Sequence, residues 1–489
     1  MREYRKRGGW GVAAAALVAA ALIGGCSGSE APEPSAADAP AAIERPNILL
    51  ISVDTLRPDR LSCYGHRRPS SPVMDRLARE GAMFENVVSS TSWTLPAHGA
   101  MFTGLVDSVH GCLETDTRLD ESRHTLAERL GAAGYETVGI FSGPLLHPVF
   151  GLSQGFEHYI DCTGIAGETL HALQAGVRMD NDEVREASVS TVTSPTLHRA
   201  ARDWLDGNQE APFFMFIHMW DPHYFYIPPP PFDDVFDRGY SGTMDGRMFF
   251  AVGLTPDMPR ADLEHVLALY DGEIAWTDLF IGRILAELRR LGLEESTVVM
   301  LLSDHGEEFY EHGLRGHRLA LFEESIRIPL IVRWPGRIPA GRRLPDQVAM
   351  IDIMPTLLDL AGVPAGDEVM GRSLAPLFEG KTLPAGPAAV SELYSLGHQL
   401  RTYRRNDRKM IDNEEIGRQL YVDLEADPGE QLFIRDADHP KAGLLAGDAR
   451  EAKGWIERFR SALPVESRPP TLPDELREQL VELGYLEAE

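Results

Sequence analysis

The sequence predicts an α/β fold in which helices sandwich a mostly parallel sheet. Five apolar runs of strand length, from residues 47–53 to residues 328–334, alternate with segments of helical periodicity. The runs are almost continuously apolar, which is typical of strands buried on both faces. Asp54, Asp221 and Asp304 closely follow three of these runs. Because ligands bind beyond the carboxyl ends of parallel strands, these aspartates are expected at the functional edge of the sheet.

The predicted elements end with a second, smaller sheet. Strands are predicted at residues 47–53, 136–142, 212–219, 297–302 and 328–334. One helix is predicted to begin at Ser71-Pro72 and another near Thr94. Three more are predicted at residues 196–208, 261–291 and 352–361. A hairpin at residues 399–413, a strand at 418–424 and a terminal helix at 473–483 indicate a small antiparallel C-terminal subdomain.

Residues 224–259 break this alternation with four consecutive prolines and a segment rich in Gly, Asp and Met. A long irregular insertion in a compact domain is usually functional or disordered. Because it follows the candidate site residue His223, we interpret it as a lid on the substrate side. A solvated surface insertion is the alternative interpretation.

The composition indicates a soluble globular protein that does not bind nucleic acid. Apolar residues make up 43 % of the chain and charged residues 25 %. The formal net charge of −27 opposes binding to a polyanion. An anionic substrate would therefore need a bound cation or a local basic cluster beside it.

The N-terminus is typical of an exported bacterial lipoprotein. Basic residues precede an apolar run at residues 12–23, which is too short to span a bilayer and predicts a signal peptide. The tetrapeptide that ends at Cys26 resembles a lipobox, which implies cleavage before Cys26 and lipid attachment to its sulfur. An ordinary signal with an incidental cysteine is the alternative. Ser27, where an inner-membrane lipoprotein tends to have Asp, favours an outer-membrane protein facing the periplasm.

These features divide the chain into four parts. Residues 1–25 are the predicted signal peptide and residues 26–44 are a disordered tether rich in Ala, Pro, Ser and acidic residues. Residues 45–365 form the predicted catalytic domain, and residues 366–489 the C-terminal subdomain with its small sheet and terminal helix. The sequence does not specify an oligomeric state.

A constellation of oxygen and nitrogen donors predicts a metal-dependent active site. Asp54, Asp304 and His305 follow buried strands, where a charge is costly unless it is paired or bound to a metal. With the hydroxyl of Thr94, they form a donor set that suits one divalent ion among Mn, Zn, Mg and Ca. Thr94 lies before a predicted helix, whose N-terminus favours an anionic group. A metal there would activate Thr94 as a nucleophile.

Four further histidines are interpreted by their surroundings. His223 and His317 are candidates for binding substrate oxygens or protonating a leaving group. His98 is expected to support Thr94. His218 lies on an apolar strand and is interpreted as a satisfied core residue.

Four sequence stretches together resemble the sulfatase family of the alkaline phosphatase superfamily. They are NILLISVDTLRPDRLSCY, SWTLPAHGAMFTG, SDHGEEFYEHG and GHRLALFEESIRIPLIV, and the resemblance spans residues 45–362. It implies an alkaline-phosphatase-like fold and metal ligation by Asp54, Asp304 and His305. It also implies that Thr94 is at the nucleophile position and that His223 contacts the substrate.

The chain departs from the family pattern at several of these positions. His98 replaces the arginine of the sulfatase signature, His317 a lysine, Thr55 a second aspartate and His305 an asparagine. In sulfatases a Cys or Ser at the nucleophile position becomes formylglycine. Thr94 would give a ketone, and TLPAH lacks the residues that guide the conversion, so no formylglycine is expected. Threonine with Asp-His resembles instead the phosphoryl-transfer branches of the superfamily.

The sequence therefore predicts a sulfatase-like hydrolase or transferase that acts on phosphate, phosphonate or sulfate esters, with phosphoryl transfer favoured. The expected partner is an anionic ester of a small molecule, a glycan or a lipid headgroup, and the lipid anchor is expected to hold the protein at a membrane. One alternative is a true sulfuric ester hydrolase that uses unmodified Thr94. Another is a catalytically weak binding lipoprotein on the same fold.

Overall fold

The computed structural model describes residues 45–164, 192–208, 210–250, 254–395, 397–434, 440–465 and 469–486. The described residues belong to one compact unit. The predicted signal peptide, the tether and the lipidation candidate Cys26 lie outside the described residues. Within the described ranges, no helix combines the length and apolar character that crossing a bilayer requires.

Strands and helices alternate along most of the chain. The strands are β1 Asn47–Val53, β2 Ala82–Val88, β3 Glu136–Phe141, β4 His158–Asp161, β5 Phe213–Met219, β6 Thr297–Ser303, β7 Glu308–Phe309, β8 Arg315–Gly316, β9 Arg327–Arg333, β10 Arg342–Ala349, β11 Ala389–Ser395, β12 His398–Arg405, β13 Arg408–Asn413 and β14 Arg418–Asp423. The helices are α1 Pro72–Glu80, α2 Thr94–Thr103, α3 Asp107–His110, α4 Leu126–Ala132, α5 Ser194–Gly207, α6 Arg260–Arg290, α7 Glu323–Ile326, α8 Ile353–Leu360, α9 Ala375–Phe378, α10 Pro440–Ala462 and α11 Asp474–Glu482.

The central sheet has eight strands in the order β10-β2-β9-β6-β1-β5-β3-β4. Its strands run in one direction except β9, which is antiparallel to both neighbours. The predicted mostly parallel α/β fold is thus confirmed, and the five predicted strands are β1, β3, β5, β6 and β9. The sequence analysis missed β2, β4 and β10, because polar residues interrupt their apolar pattern: β2 carries Glu85-Asn86, and β4 and β10 are only partly buried.

Helices cover both faces of this sheet. Along β1, Ile48 and Leu50 pack into one hydrophobic cluster, while Leu49, Ile51 and Val53 pack into the other. The alternation follows from the two-residue period of a strand. The first cluster includes residues of α2, α4, α8, α10 and α11, and the second includes residues of α1, α5 and α6. β1 is therefore a rigid central strand from which a site can be built.

The predicted antiparallel C-terminal sheet is also present. It has four strands in the order β11-β12-β13-β14, and β12 and β13 form the predicted hairpin. Its first strand lies against the segment that precedes α2: Ser391 Oγ donates to the carbonyl of Ser89, and Glu392 N donates to the carbonyl of Ser90. The small sheet therefore supports the backbone that leads to Thr94.

A buried ion cluster joins the small sheet to Glu323, the first residue of α7. Lys409 Nζ on β13 lies 2.8 Å from Glu430 and 3.3 Å from Glu323, and Arg404 lies 3.0 Å from Glu323. Burial opposes ionisation of Glu323, but Arg404 and Lys409 lower its pKa to about 2. Lys409 thus compensates the fully buried carboxylate of Glu430 and the largely buried one of Glu323.

Replacing Lys409 with methionine is expected to destabilise the protein by about 3–5 kcal/mol, because it leaves buried carboxylates without their counter-charge. The matched control is Lys381→Met, since Lys381 is exposed and pairs with the exposed Glu379. The free energy of unfolding, measured by urea denaturation, should fall far more in the first variant. Equal effects would show that the buried cluster is not a stabilising link.

Candidate active site

Adjacent parallel strands place two carboxylates side by side. β1 lies between β5 and β6, and Val53 of β1 is opposite Ser303 of β6. Asp54 and Asp304 directly follow these two residues. Both carboxylates therefore lie at the carboxyl end of the sheet, where strand order alone places a binding site.

The Thr94 hydroxyl faces this pair of carboxylates. Thr94 is the first residue of α2, and Pro96 lies in the first turn, where its missing N–H leaves no helical hydrogen bond unmade. Its Oγ1 lies 3.5 Å from Asp54 Oδ2 and 3.3 Å from His305 Nε2. Thr94 is buried, and its hydroxyl lies at a helix N-terminus, where the helix dipole favours negative charge.

Two imidazoles present Nε2 to the carboxylates. His305 Nδ1 lies 2.8 Å from the carbonyl of Gly306, and His218 Nδ1 lies 2.7 Å from the carbonyl of Ser142. A carbonyl oxygen only accepts, so in each neutral ring Nδ1 donates its proton and Nε2 keeps a lone pair. The Nε2 atoms lie 3.5 Å from Asp54 Oδ1 for His305 and 3.5 Å from Asp54 Oδ2 for His218.

The residues present fit a divalent cation. Burial and repulsion from Asp304 raise the pKa of Asp54 to about 6. Asp54 Oδ1, Asp304 Oδ2 and His218 Nε2 are buried without a hydrogen-bond partner within the described part of the chain. Such atoms are costly unless something binds them. The ligand atoms of Asp54, Asp304 and His305 all lie within 4.8 Å of one another, so these residues can share one ion.

His218 lies beside these residues, which the sequence analysis did not expect: its ring can share an ion with Asp304. We interpreted it as a satisfied core residue, but its Nε2 is unsatisfied and faces Asp54 and Asp304. Its register partner on β1 is Ser52, two residues before Asp54. One signal could have identified His218: it is a polar residue near the end of an apolar strand, and that strand neighbours the one that leads to Asp54.

His98 positions the Thr94 backbone. Its Nδ1 lies 2.8 Å from the Thr94 carbonyl and its Nε2 lies 3.1 Å from Ser52 Oγ. Burial lowers the pKa of His98 to about 3, so the ring is neutral: Nδ1–H donates to the carbonyl, and the serine hydroxyl donates to Nε2. Both ring nitrogens are used, so His98 is a positioning residue and not one that contacts the reacting atoms.

His223 and His317 meet at a hydroxyl that the sequence analysis missed. Their Nε2 atoms lie 2.9 Å and 3.1 Å from Tyr485 Oη. His317 Nδ1 lies 2.9 Å from Glu307 Oε1, and its ring centroid is 4.7 Å from that of His305. The two histidines therefore line a wall next to the Thr94 site. Tyr485 follows α11, far along the chain, and no local pattern links it to this wall.

Asp221 serves a structural purpose. Its carboxylate accepts hydrogen bonds from Thr193 N and Ser194 N at the start of α5 and from Trp276 Nε1. It thus differs from Asp54 and Asp304, each of which has one unsatisfied oxygen, and it is not a candidate ligand. Thr55, at the family's second aspartate position, directs its hydroxyl to backbone carbonyls.

The described part of the insertion, residues 224–250 and 254–259, packs against the histidine wall. Tyr226 Oη donates to Glu307 Oε2 at 2.9 Å. The Tyr224 ring stacks 5.3 Å from that of His317, and Phe250 lies 4.5 Å from Tyr224. This contact agrees with the interpretation of the insertion as a segment on the substrate side.

The family model described as Sulfatase matches residues 46–363, which is more than half of the chain. This chain belongs to the sulfatase family. A second model, described as N-sulphoglucosamine sulphohydrolase, C-terminal, matches residues 310–439. The sequence-based recognition of the family is confirmed, and the protein is a sulfatase-family hydrolase.

Relatives of this sulfatase-family hydrolase act on different esters. An N-acetylglucosamine-6-O-sulfatase of Bacteroides thetaiotaomicron is 26 % identical over 472 residues, covering 80 % of this chain and 83 % of the relative. The solved phosphonate monoester hydrolase of Agrobacterium radiobacter is 24 % identical with a TM-score of 0.70, covering 85 % of this chain and 96 % of its own. A structure in complex with its substrate D-glucosamine-2-N,6-O-disulfate has 21 % identity and a TM-score of 0.71, covering 85 % and 98 %. The two structures support the fold.

Replacing His218 with alanine is expected to weaken divalent-cation binding at least ~100-fold, since even residues that only support metal ligands contribute 10–100-fold. Metal affinity can be measured by competition with a chelating dye. His110→Ala is the control, because His110 is equally buried but lies outside the site. For the unmodified protein, metal at a hundredfold excess over the Kd should add about 2.7 kcal/mol to the free energy of unfolding. Equal metal affinity in the two variants would exclude His218 as a ligand.

Proposed function

We propose that this sulfatase-family protein is a metal-dependent hydrolase or transferase that attacks an anionic ester through the unmodified hydroxyl of Thr94. The observation that carries the proposal is the placement of Thr94 Oγ1, 3.3 Å from His305 Nε2 and 3.5 Å from Asp54 Oδ2. Asp54, Asp304, His305 and His218, with Thr94 itself, would hold one divalent cation. When bound, the cation makes the hydroxyl easier to deprotonate and offsets negative charge on the transferring group.

The chain's own residues account for the two steps. The Thr94 hydroxyl passes its proton to Asp54 Oδ2 as its oxygen forms a bond to phosphorus and the bond to the leaving alcohol breaks. The departing oxygen takes a proton from His317, whose Nδ1 faces the Glu307 carboxylate. Water then attacks phosphorus and returns a proton to His317, while the bond from phosphorus to Thr94 breaks and the threonine oxygen recovers its proton from Asp54. An alcohol in place of water would make the reaction a transfer.

The charges around Thr94 favour a monoanionic ester. A divalent cation balances the carboxylates of Asp54 and Asp304 and leaves little excess positive charge. The nearby guanidinium of Arg318 is paired with Glu114 at 2.5 Å. Without a further cation, a dianionic phosphate monoester would be held less well than a phosphodiester or a phosphonate monoester. The hydrolysis of phosphonate monoesters by one structural relative and of sulfate esters by others supports this range of substrates.

The two imidazoles favour a transition metal. Ca²⁺ and Mg²⁺ prefer oxygen ligands, imidazole nitrogen suits Zn²⁺, and Mn²⁺ suits carboxylates. The carboxylates of Asp54 and Asp304 with Nε2 of His218 and His305 form a mixed set of this kind. We therefore propose Zn²⁺ or Mn²⁺ for this chain.

Replacing Thr94 with alanine is expected to lower kcat/KM for bis(p-nitrophenyl) phosphate and an aryl phosphonate monoester by at least ~10³-fold, because the nucleophile is lost. Thr94→Ser should keep most of the activity. Thr103→Ala is the matched control on the same helix, since its hydroxyl bonds to the backbone of Gly99 and Leu105, away from the carboxylates. Its kcat/KM should stay within tenfold of the unmodified enzyme.

The same substrates test the alternatives. Turnover of p-nitrophenyl sulfate alone, lost in Thr94→Ala, would contradict phosphoryl transfer and indicate a sulfuric ester hydrolase with a threonine nucleophile. A protein that turns over no ester with Zn²⁺, Mn²⁺ or Ca²⁺ and retains no metal would instead be a binding lipoprotein.

We further propose that the protein is a lipoprotein anchored through Cys26 in the outer membrane and facing the periplasm. Cys26→Ser should abolish incorporation of radiolabelled palmitate and release the protein from the membrane fraction of expressing bacteria. Cys63→Ser is the control, because Cys63 lies in the folded domain. Palmitate labelling that survives in Cys26→Ser would contradict the anchor.

A further inference from the structure

The candidate active site is closed to solvent in this structure. Among Asp54, Thr94, Asp304 and His305 and the neighbouring histidines, the most exposed is His317, at 7 %. An ester from outside cannot reach the Thr94 hydroxyl in this arrangement. Part of the wall must therefore move before the substrate binds.

Tyr485 covers the site. Its ring stacks on that of Trp93, the residue before Thr94, with centroids 6.4 Å apart and an interplanar angle of 24°. The guanidinium of Arg318 lies 4.3 Å from the Trp93 ring and donates to the Tyr485 carbonyl at 3.4 Å. Tyr485 itself is 6 % exposed. It therefore fills the space between the Thr94 loop and the histidine wall.

The Tyr485 hydroxyl forms hydrogen bonds with the two histidines that a substrate would need. The Nε2 atoms of His223 and His317 both bond to this one oxygen. The Tyr485 side chain is a phenol, the same chemical group that leaves when an aryl ester is cleaved. Substrate oxygens and Tyr485 Oη thus compete for the same two ring nitrogens.

The segment that carries Tyr485 follows directly on α11. Leu476 and Leu480 of α11 are buried in the first hydrophobic cluster, so the helix itself is held in place. Gly484 adopts a left-handed conformation (φ 74°) and turns the chain back after the helix. Tyr485 N bonds to Leu480 O, and Tyr224 Oη donates to Leu483 O. Displacing residues 483–486 alone breaks these few hydrogen bonds and leaves the packing of α11 intact.

We propose that residues 483–486, which follow α11, form an access gate whose tyrosine occupies the substrate-oxygen position between His223 and His317. The gate rests on the proposed function, because it regulates the same site. An oxyanion binds only to the fraction of molecules whose gate is open. The apparent affinity is reduced by that fraction, and removing the tyrosine side chain relieves the penalty.

Tungstate, an inorganic oxyanion, tests the gate without any turnover. In the metal-loaded protein, tungstate should accelerate amide hydrogen exchange of residues 483–486 at least ~10-fold and leave that of α1 unchanged. Tyr485→Ala should bind tungstate at least ~10-fold more tightly than the unmodified protein. Tyr485→Phe keeps the stacked ring and loses the hydroxyl, so its affinity should fall between the two.

The control is Tyr135→Ala, since Tyr135 is also buried but precedes β3, at the amino ends of the parallel strands, whereas the site lies at their carboxyl ends. Its tungstate affinity should equal that of the unmodified protein. Tungstate that binds without exposing residues 483–486, or with equal affinity in Tyr485→Ala, would overturn the gate. Failure of all the proteins to bind tungstate would overturn it as well. A gate that opens in a protein without esterase activity would refute the Thr94 proposal alone, and an active enzyme whose segment stays protected would refute the gate alone.

Discussion

The carboxylates of Asp54 and Asp304 lie next to each other where water does not reach, and most of the site can be understood from this constraint. Both follow central strands of the sheet, so neither can move away from the other without distorting the core. The described structure leaves one oxygen of each unsatisfied. Burying two such charges costs free energy, and a bound cation would offset that cost. We therefore expect metal binding and folding of the sheet edge to be coupled.

Five histidines surround this pair of carboxylates, and they fall into three groups by the atoms that they contact. His218 and His305 present Nε2 to the carboxylates because backbone carbonyls hold their Nδ1 protons. His98 holds the Thr94 backbone, and His223 and His317 form a wall that bonds to Tyr485. A site so rich in imidazole differs from the pattern of arginine, lysine and asparagine that the family resemblance implies. This difference supports a transition metal and a threonine nucleophile.

The sequence predicts the parts of the site that depend on strand ends. Asp54 and Asp304 were located because an apolar strand followed by Asp is a local pattern, and strand order then brings the pair together. His218 was misinterpreted because its environment depends on register with β1, which no local pattern records. Asp221 shares the strand-end pattern but caps α5. Tyr485 reaches the site through the packing of α11, a contact between distant parts of the chain. The sheet edge strands were missed for the related reason that partial exposure weakens their apolar pattern.

The central claim is that Asp54, His218, Asp304 and His305 hold one metal ion against the Thr94 hydroxyl. Anomalous X-ray diffraction from crystals of the metal-loaded protein, collected on both sides of the zinc or manganese absorption edge, tests this claim most directly. The account predicts one anomalous peak, enclosed by the two carboxylates and the two Nε2 atoms, with Thr94 Oγ1 in contact. A peak elsewhere, a peak that excludes Thr94, or no peak in a protein with full esterase activity would contradict it.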